Sequence, residues 1–406
     1  MSSPPGPVVP RTPSRDAAAT VGAAFLMATS AIGPGFLTQT AVFTSALRAD
    51  FAFVILASIA VDVAAQVNVW RVLGVARRRG QELASDLVPG LGAAVALLVA
   101  AGGLVFNVGN IAGCGLGLAV MGVPARVGAV VSAMAAVVLL SLPRAARAMD
   151  VFANVLGAVM ILLTAAVMVS SRPDYAAALR GAVAPARIEL LPLVTLVGGT
   201  VGGYITFSGA HRLLDAGIGG PDDVPRLTRA AVLGIGVTGA MRVLLFLAVW
   251  GVVGRAGALD PANPAASAFR IGAGEWGYRV FGVVLWAAAI TSVVGCTYTS
   301  LSFVRTLWAP VQRHLRASLV LFVGAALVFY LFLGRPVQLL VLAGGLNGLI
   351  LPATLGVVLL AARRRDLMGE YRHPPLLQAL GWLAWTVSVF AGAVALREMG
   401  RLWTGL

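Results

Sequence analysis

The residues best able to do chemistry stand inside long apolar runs of the chain. Asp62 and Arg242 each lie near the middle of such a run. Charges at membrane depth are costly and either pair or serve ion movement. We predict a buried Asp62–Arg242 ion pair, or an Asp62 that takes up a proton in coupling. His211, close to Arg212 and Asp215, is either a proton relay, since imidazole titrates near pH ~6.5, or an interfacial histidine at a helix end.

Glycine clusters interrupt two of these runs. The first holds Gly33-Pro34-Gly35-Phe36, and the second holds Gly198-Gly199 and Gly202-Gly203 around Thr200. Proline removes a backbone donor and glycine permits non-helical torsions, so both runs are predicted to be broken helices. Bare backbone at half-helix ends suits an anionic group such as a carboxylate. Close helix packing is the alternative interpretation of these glycines.

Uncharged polar side chains beside the breaks and in later runs are further candidates for contact with a ligand. Each has a structural alternative: a bond to broken-helix carbonyls, a bridge between helices, or a bond to its own helix backbone. The stronger candidates are Thr38, Gln39, Asn107, Asn110, Thr200, Tyr204 and Asn347, and the weaker ones are Thr291, Ser292, Thr297 and Tyr298.

Composition places these residues in a membrane protein. The 406 residues are 59% hydrophobic and 11% charged, with a mean hydropathy of +0.91, whereas soluble domains carry about 25% charged residues. All 30 basic residues are arginines scattered between apolar runs, which excludes a nucleic-acid patch. Cys114 and Cys296 lie in apolar runs and are predicted to be small fillers. No catalytic motif occurs, so neither an enzyme nor a cofactor is expected.

A membrane-spanning helix needs about 20 apolar residues. That rule predicts an all-α membrane protein with about eleven spans, between a cytoplasmic tail (1–17) and a short tail (398–406). The predicted spans are 18–47, 51–72, 89–117, 124–143, 149–170, 190–211, 228–253, 277–304, 317–334, 336–361 and 376–397.

Arginine placement predicts the orientation. With the N-terminus inside, the inside segments hold 18 arginines and the outside segments hold 11. Because cationic loops stay on the cytoplasmic side, this bias predicts an inner-membrane protein with a cytoplasmic N-terminus and an external C-terminus.

The two broken helices are spans 1 and 6, so five helices separate one break from the next. This spacing is typical of a five-plus-five inverted repeat, here residues 18–170 and 190–361 with an extra helix at 376–397, all in one transmembrane domain. In such a fold the breaks meet near the midplane and form the substrate site. A monomer is expected.

Several stretches resemble the NRAMP family of proton-coupled divalent-metal transporters, over roughly residues 18 to 370. They are Gly33 to Thr40, Phe51 to Leu56, Gln66, and Arg364 to Glu370. The resemblance implies the leucine-transporter type of fold.

The family's metal ligands are absent at the matching positions. Gly33, Pro34, Gly35 and Phe36 stand where the family has Asp-Pro-Gly-Asn, and Gly202, Gly203 and Tyr204 stand where it has Met-Pro-His. A second alignment places Thr44 to Leu47 at the first motif, and it also lacks the carboxylate. Thioether, imidazole and carboxylate groups are the usual metal ligands. The breaks are therefore retained while the ligands are lost.

Three functions remain open at this point. The first is a secondary transporter, with a proton as candidate coupling ion, for a small carboxylate-bearing solute such as the lactam acid 5-oxoproline. The second is the divalent-cation transport that the resemblance implies, with Mg²⁺ or Mn²⁺ held partly hydrated by carbonyls, Gln39 and Asn347. The third is a membrane sensor or scaffold that transports nothing.

Overall fold

The computed structural model describes residues 13–305 and 307–404, and this part of the chain is helical without a β-strand. The predicted tail at 1–17 therefore lies largely outside the described residues. The helices are α1 (Pro13–Ala31), α2 (Pro34–Leu47), α3 (Phe51–Ala76), α4 (Gly80–Leu87), α5 (Leu91–Ala119), α6 (Ala125–Ser141), α7 (Pro143–Ser171), α8 (Tyr175–Val183), α9 (Leu190–Thr200), α10 (Ile205–Asp215), α11 (Val224–Ala256), α12 (Pro264–Arg305), α13 (Ala309–Arg313), α14 (Leu315–Leu333), α15 (Pro336–Ala361), α16 (Arg365–Met368) and α17 (Pro375–Thr404).

The long helices follow the order of the predicted spans and confirm an all-α membrane architecture. Eight described stretches are long and apolar enough to cross a bilayer, and the pair α7 and α8, bent by 107°, is a ninth candidate. One of the eight, Pro34–Ala76, contains both α2 and α3, which the sequence assigns to different spans. The largest differences from the predicted ends are at α12, which begins at Pro264 instead of 277 with a break at Gly274, and at α17, which continues to Thr404 instead of 397.

The first break separates α1 from α2, as predicted. Gly33 is extended, with φ −103° and ψ −171°, and Pro34 follows as the first residue of α2. A residue before proline is pushed out of the helical region, whereas proline fits the first position of a helix. The sequence Gly33-Pro34 therefore ends one half-helix and starts the next. The first N–H groups of α2, on Gly35 and Phe36, have no helical carbonyl one turn back.

The second break is shorter than predicted. Helix α9 continues through Gly198 and Gly199 to Thr200, so these two glycines are helical and do not open the backbone. Gly198 serves packing, because a Cβ there would lie 2.0 Å from the carbonyl oxygen of Gly344. The break itself spans residues 201–204, and Gly203 supplies its left-handed φ of +53°. Only glycine takes that conformation without strain.

Both breaks are enclosed by the other helices. In the span Leu190–Asp215, which holds the second break, 94% of the most apolar window is buried, compared with 22% for Leu315–Leu333 and 33% for Pro375–Glu398. Helices α14 and α17 are therefore peripheral and face lipid. Irregular backbone at membrane depth is tolerated only where protein encloses it, which explains the central position of α9 and α10.

Candidate functional site

The first break faces two other helices through polar side chains. A Cβ at Gly33 would lie 3.1 Å from Ser292 Oγ on α12 and 3.9 Å from Asn110 Oδ1 on α5. Ser292 Oγ is buried and has no hydrogen-bond partner. Asn107 Nδ2 donates to Thr297 Oγ1 at 3.0 Å, and Asn110 Nδ2 lies 3.5 Å from Asn107 Oδ1. Asn107 and Thr297 thus bridge α5 and α12, while Ser292 and Asn110 line the break.

Gln39 connects the two halves of the site. Its Nε2 donates to the carbonyl oxygen of Leu340 on α15 at 2.7 Å. Its Oε1 has no partner and faces α9, where a Cβ at Gly199 would lie 3.2 Å away. A Cβ at Gly344 on α15 would lie 2.5 Å from Gln39 Nε2. Glycines on two neighbouring helices therefore make room for this one amide.

Asn347 is the polar side chain at the second break. Its Nδ2 donates to the carbonyl oxygens of Gly102 and Ala343, both at 3.0 Å. Its Oδ1 has no partner and points at Gly203, where a Cβ would be only 1.9 Å away. The Tyr204 side chain, also in the break, is 1% exposed and packs edge-on against Phe106 with its hydroxyl unpaired. The Asn347 amide oxygen therefore faces the break without a partner, and the Tyr204 hydroxyl lies beside Cys296.

Arg242 on α11 brings a cation to the first break. Its side chain is 1% exposed, and its guanidinium carbon lies 4.5 Å from the centre of the Phe36 ring. Its Nε and Nη2 atoms are buried without a hydrogen-bond partner. Stacking on an aromatic face holds the guanidinium plane and leaves its edge available for a bidentate bond. Buried donors of this kind need an acceptor.

The predicted Asp62–Arg242 ion pair is not formed. Asp62 Oδ1 and the two Arg242 nitrogens lack partners, and the two groups interact only across a gap. The polar neighbour of the Asp62 carboxyl is the Thr200 hydroxyl, at the end of α9. Asp62 on α3 therefore approaches the second break, whereas Arg242 on α11 approaches the first. The Asp62 carboxyl lies against α9 and the Arg242 guanidinium lies against α2, so the two groups form no ion pair.

His211 lies away from the breaks and is buried among other side chains. Its ring is 5% exposed and packs between Phe207 and Phe303, at 5.8 and 5.2 Å between ring centres. Its Nε2 accepts the backbone N–H of Gly80 at 3.3 Å, and Nδ1 has no partner. Asp215 pairs with Arg79 at 2.6 Å, so it is not the partner of His211. The structure thus places His211 in the contact between α10 and the start of α4.

The remaining candidates separate into two groups. Thr38 is buried beside the first break and its hydroxyl has no hydrogen-bond partner, so the hydroxyl is free to bond a ligand. Thr200 and Thr291 instead donate to carbonyls of their own helices, and Tyr298 is 53% exposed beneath Arg305. Cys296 donates from Sγ to the carbonyl oxygen of Gly103 at 3.1 Å, so it is a packed helix contact.

Sequence reasoning missed three parts of this site. They are the Leu340 carbonyl, the space left by Gly344, and Thr195, whose hydroxyl is buried and unpaired beside Gly344. A carbonyl leaves no mark in a sequence, but the pair Gly344-Gly345 close to Asn347 is a signal for a crowded helix face. Across 13–305 and 307–404, no three His, Cys, Asp or Glu residues come together as a metal cage.

Comparison with known sequences shows which family has this arrangement of a polar core between two broken helices. The sequence model described as natural resistance-associated macrophage protein-like, Nramp, matches residues 24–397. The chain belongs to the Nramp family. This Nramp-family transporter is 48% identical over 386 residues to an uncharacterized membrane protein of Bacillus subtilis, YcsG, covering 95% of this chain and 96% of that one. A Haemophilus influenzae membrane protein is 47% identical over 365 residues, covering 90% and 92%.

Solved structures confirm the leucine-transporter type of fold for this Nramp-family chain. A variant of the Eremococcus coleocola manganese transporter matches with a TM-score of 0.77 at 15% identity, covering 98% of this chain and 91% of that one. MhsT, in complex with L-phenylalanine, matches with a TM-score of 0.60 at 14% identity, covering 93% and 97%. At these identities the likeness establishes the fold alone.

Proposed function

We propose that this Nramp-family protein is a secondary transporter for a small carboxylate-bearing solute, driven by a proton. One observation carries the proposal: the buried, unpaired Arg242 edge beside the first break. A carboxylate matches the guanidinium fork in a bidentate, charge-assisted bond. The N-terminal end of α2, which starts at Pro34, adds partial positive charge at the same break.

The other unpaired atoms favour a solute that also carries an N–H donor. Gln39 Oε1 and Asn347 Oδ1 are buried acceptors without a partner. An unsatisfied buried polar atom costs about 1–3 kcal/mol, so each gains when a ligand donates to it. Amino acids and lactam acids such as 5-oxoproline combine a carboxylate with such a donor. Among proteins of this fold, MhsT holds L-phenylalanine, a solute with the same two groups.

Asp62 is the proposed carrier of the coupling proton. Its carboxyl is 1% exposed, lies beside Thr200 at the second break, and has one oxygen unpaired. A buried carboxyl that exchanges a proton would change the charge of the site by one unit during each transport cycle. Ionisable side chains at membrane depth commonly serve as proton relays of this kind.

Divalent metal transport is the second candidate. It is favoured by the likeness to a manganese transporter and by the unpaired Asp62 Oδ1, a hard oxygen ligand. Against it stands Arg242, a permanent cation in the same enclosed core, which repels a second cation where the effective dielectric constant is low. The residues at the breaks also lack thioether and imidazole groups, which suit transition metals.

The experiment compares thermal stabilisation of the purified wild-type protein and an Arg242→Gln variant in detergent. The ligands are small carboxylic acids, their uncharged amides, Mn²⁺ and Mg²⁺. A ligand that binds the folded state raises the melting temperature. We expect the acids to stabilise the wild type and the amides to fail, with no acid effect in Arg242→Gln. The control is Arg229→Gln, an exposed arginine on the same helix.

The melting temperatures of Arg242→Gln and the wild type without ligand distinguish a binding role of Arg242 from a structural one. Removing an unpaired buried cation relieves a desolvation cost, so Arg242→Gln should melt at or above the wild-type temperature. A structural ion pair would instead make the variant melt several degrees lower. Stabilisation by Mn²⁺ or Mg²⁺ and by none of the acids would overturn the carboxylate proposal in favour of the second candidate.

A further inference from the structure

The segment that joins α15 to α17 lines an open polar cavity, far in sequence from the breaks. Its volume is about 200 Å³. We call it the arginine cavity, because four of its lining residues are arginines. The polar side chains around it are Arg363, Arg364, Arg365, Arg372, Tyr371 and His373.

Most of the positive charge around this cavity is uncompensated. Arg364 forms a two-bond contact with Asp366, at 2.9 Å for Nε–Oδ1 and 2.8 Å for Nη2–Oδ2. In the described part of the chain, Arg363, Arg365 and Arg372 form no ion pair. All four arginines are exposed to solvent. Three guanidinium groups without an ion-pair partner around one pocket give it a positive potential, which attracts an anion.

The wall of the arginine cavity is fixed to the body of the protein. One ring nitrogen of His373, Nε2, lies 2.8 Å from Asn68 Oδ1 on α3, and the Tyr371 ring packs edge-on against His373. Burial, and the nearby Arg71 guanidinium, lower the pKa of His373 to about 4. The imidazole is therefore neutral near pH 7, and the guanidinium groups supply the positive charge.

The position of the cavity identifies the source of the anion. Helix α15 ends at Ala361 and α17 begins at Pro375, and both cross the bilayer. The thirteen-residue connection between them therefore lies at the level of the lipid headgroups. A guanidinium binds phosphate oxygens in the same bidentate way as a carboxylate, and basic pockets at this depth bind anionic headgroups. We propose that the arginine cavity binds the phosphate of an anionic phospholipid.

The test measures melting of the purified full chain in detergent with added phosphatidylglycerol or phosphatidylcholine. The cavity variant carries Arg363→Gln, Arg365→Gln and Arg372→Gln. The matched control carries Arg229→Gln, Arg313→Gln and Arg316→Gln, which removes the same charge from exposed arginines near the ends of α11, α13 and α14. We expect saturable stabilisation by phosphatidylglycerol in the wild type and the control, with an apparent affinity about tenfold weaker or more in the cavity variant.

Three results would overturn the proposal. They are the absence of a phosphatidylglycerol effect in the wild type, an equal loss in the control, and an equal saturable effect of glycerol phosphate or inorganic phosphate alone. The last result would mean that the cavity takes a free phosphate. If the triple variant does not fold, Arg372→Gln carries the comparison, and native mass spectrometry counts the retained phosphatidylglycerol. Because no residue of the arginine cavity lies at the breaks, this result is independent of the carboxylate proposal.

Discussion

At the scale of single residues, the proposed function depends on two buried charges that form no ion pair with each other. Arg242 stacks on Phe36 at the first break, and Asp62 lies beside Thr200 at the second. An ion pair between them would have cancelled both charges and left nothing to bind an anion or exchange a proton. Because they are separate, each has its own role in the proposed transport cycle. In that cycle we propose that Arg242 holds the solute and that Asp62 changes charge.

The proposed role of Asp62 predicts an effect on coupling that is separate from binding. In proteoliposomes, Asp62→Asn should still exchange labelled solute across the membrane at equal concentrations, but it should no longer accumulate solute under an imposed pH gradient. The reason is that an amide cannot take up the coupling proton. The exposed Asp222→Asn variant is the control. Gradient-driven accumulation by Asp62→Asn at the wild-type level would assign the proton to another group.

At the scale of elements, the second break depends on one glycine for two reasons. Gly203 has a φ of +53°, and its missing Cβ leaves room for Asn347 Oδ1. Helix α9 ends before it, and α10 restarts after it at Ile205. Any other residue at this position would both strain the backbone and displace the Asn347 amide.

Two alanine variants separate those reasons. Gly203→Ala should destabilise the fold by about 1–2 kcal/mol for the left-handed backbone and also lose solute binding, because Asn347 must move. Gly90→Ala is the control, since Gly90 has a φ of +86° and open space around it. It should show the backbone cost alone, in chemical denaturation and in ligand-induced stabilisation. Intact binding in Gly203→Ala would remove Asn347 from the site.

The connection between α15 and α17 predicts a pH effect on stability. The pKa of His373 is lowered to about 4 in the folded protein, below its ordinary value of about 6.5, first by burial and then by Arg71. As pH falls, the unfolded chain therefore binds this proton first. Stability that is fully present above pH ~6.5 is lost as the pH falls through about 4.

The His373→Gln variant isolates this contribution, because glutamine can still donate to Asn68 but does not titrate. Between pH 7 and pH 4 the melting temperature of the wild type should fall further than that of the variant. Parallel curves for the two proteins would show that His373 is charged or exposed in the folded state.

The sequence predicts the breaks better than it predicts their neighbours. Gly33-Pro34 carries its own physical reason for ending a helix, and that prediction is confirmed. The partners of Gln39 and Asp62 depend on contacts between helices that are distant in sequence. Gln39 binds a carbonyl 301 positions away, and a carbonyl has no sequence signal. The same limit applies to Gly198 and Gly199, because composition alone does not tell a packed glycine from an open one.

At the scale of the whole molecule, polar contacts on two opposite sides of the protein hold the outer ends of the broken helices. On the side where α3 ends, Arg79 pairs with Asp215 and the Trp70 Nε1 donates to the Thr206 carbonyl. On the side where α2 ends, the Asp50 carboxylate accepts the N–H groups of Ala186 and Arg187, both at 3.1 Å. Alternating access requires one set of contacts to open while the other holds.

His211 belongs to the first of these two sets. Its Nε2 accepts the Gly80 N–H at the same contact that Arg79 and Asp215 close. This position explains its burial better than a role in a proton path from the breaks. Its ring fills the space between Phe207 and Phe303. The orientation of the two faces remains a prediction from the arginine bias of 18 to 11.

Uptake by wild-type proteoliposomes under an inward proton gradient decides between an organic acid and a metal as the cargo. Labelled small acids that carry an N–H donor are compared with Mn²⁺, which is followed by a trapped fluorophore. We predict that at least one acid accumulates, that Mn²⁺ does not enter, and that Arg242→Gln abolishes the accumulation. Saturable entry of Mn²⁺ without uptake of any acid would contradict the carboxylate proposal and make this chain a metal transporter like its structural neighbour.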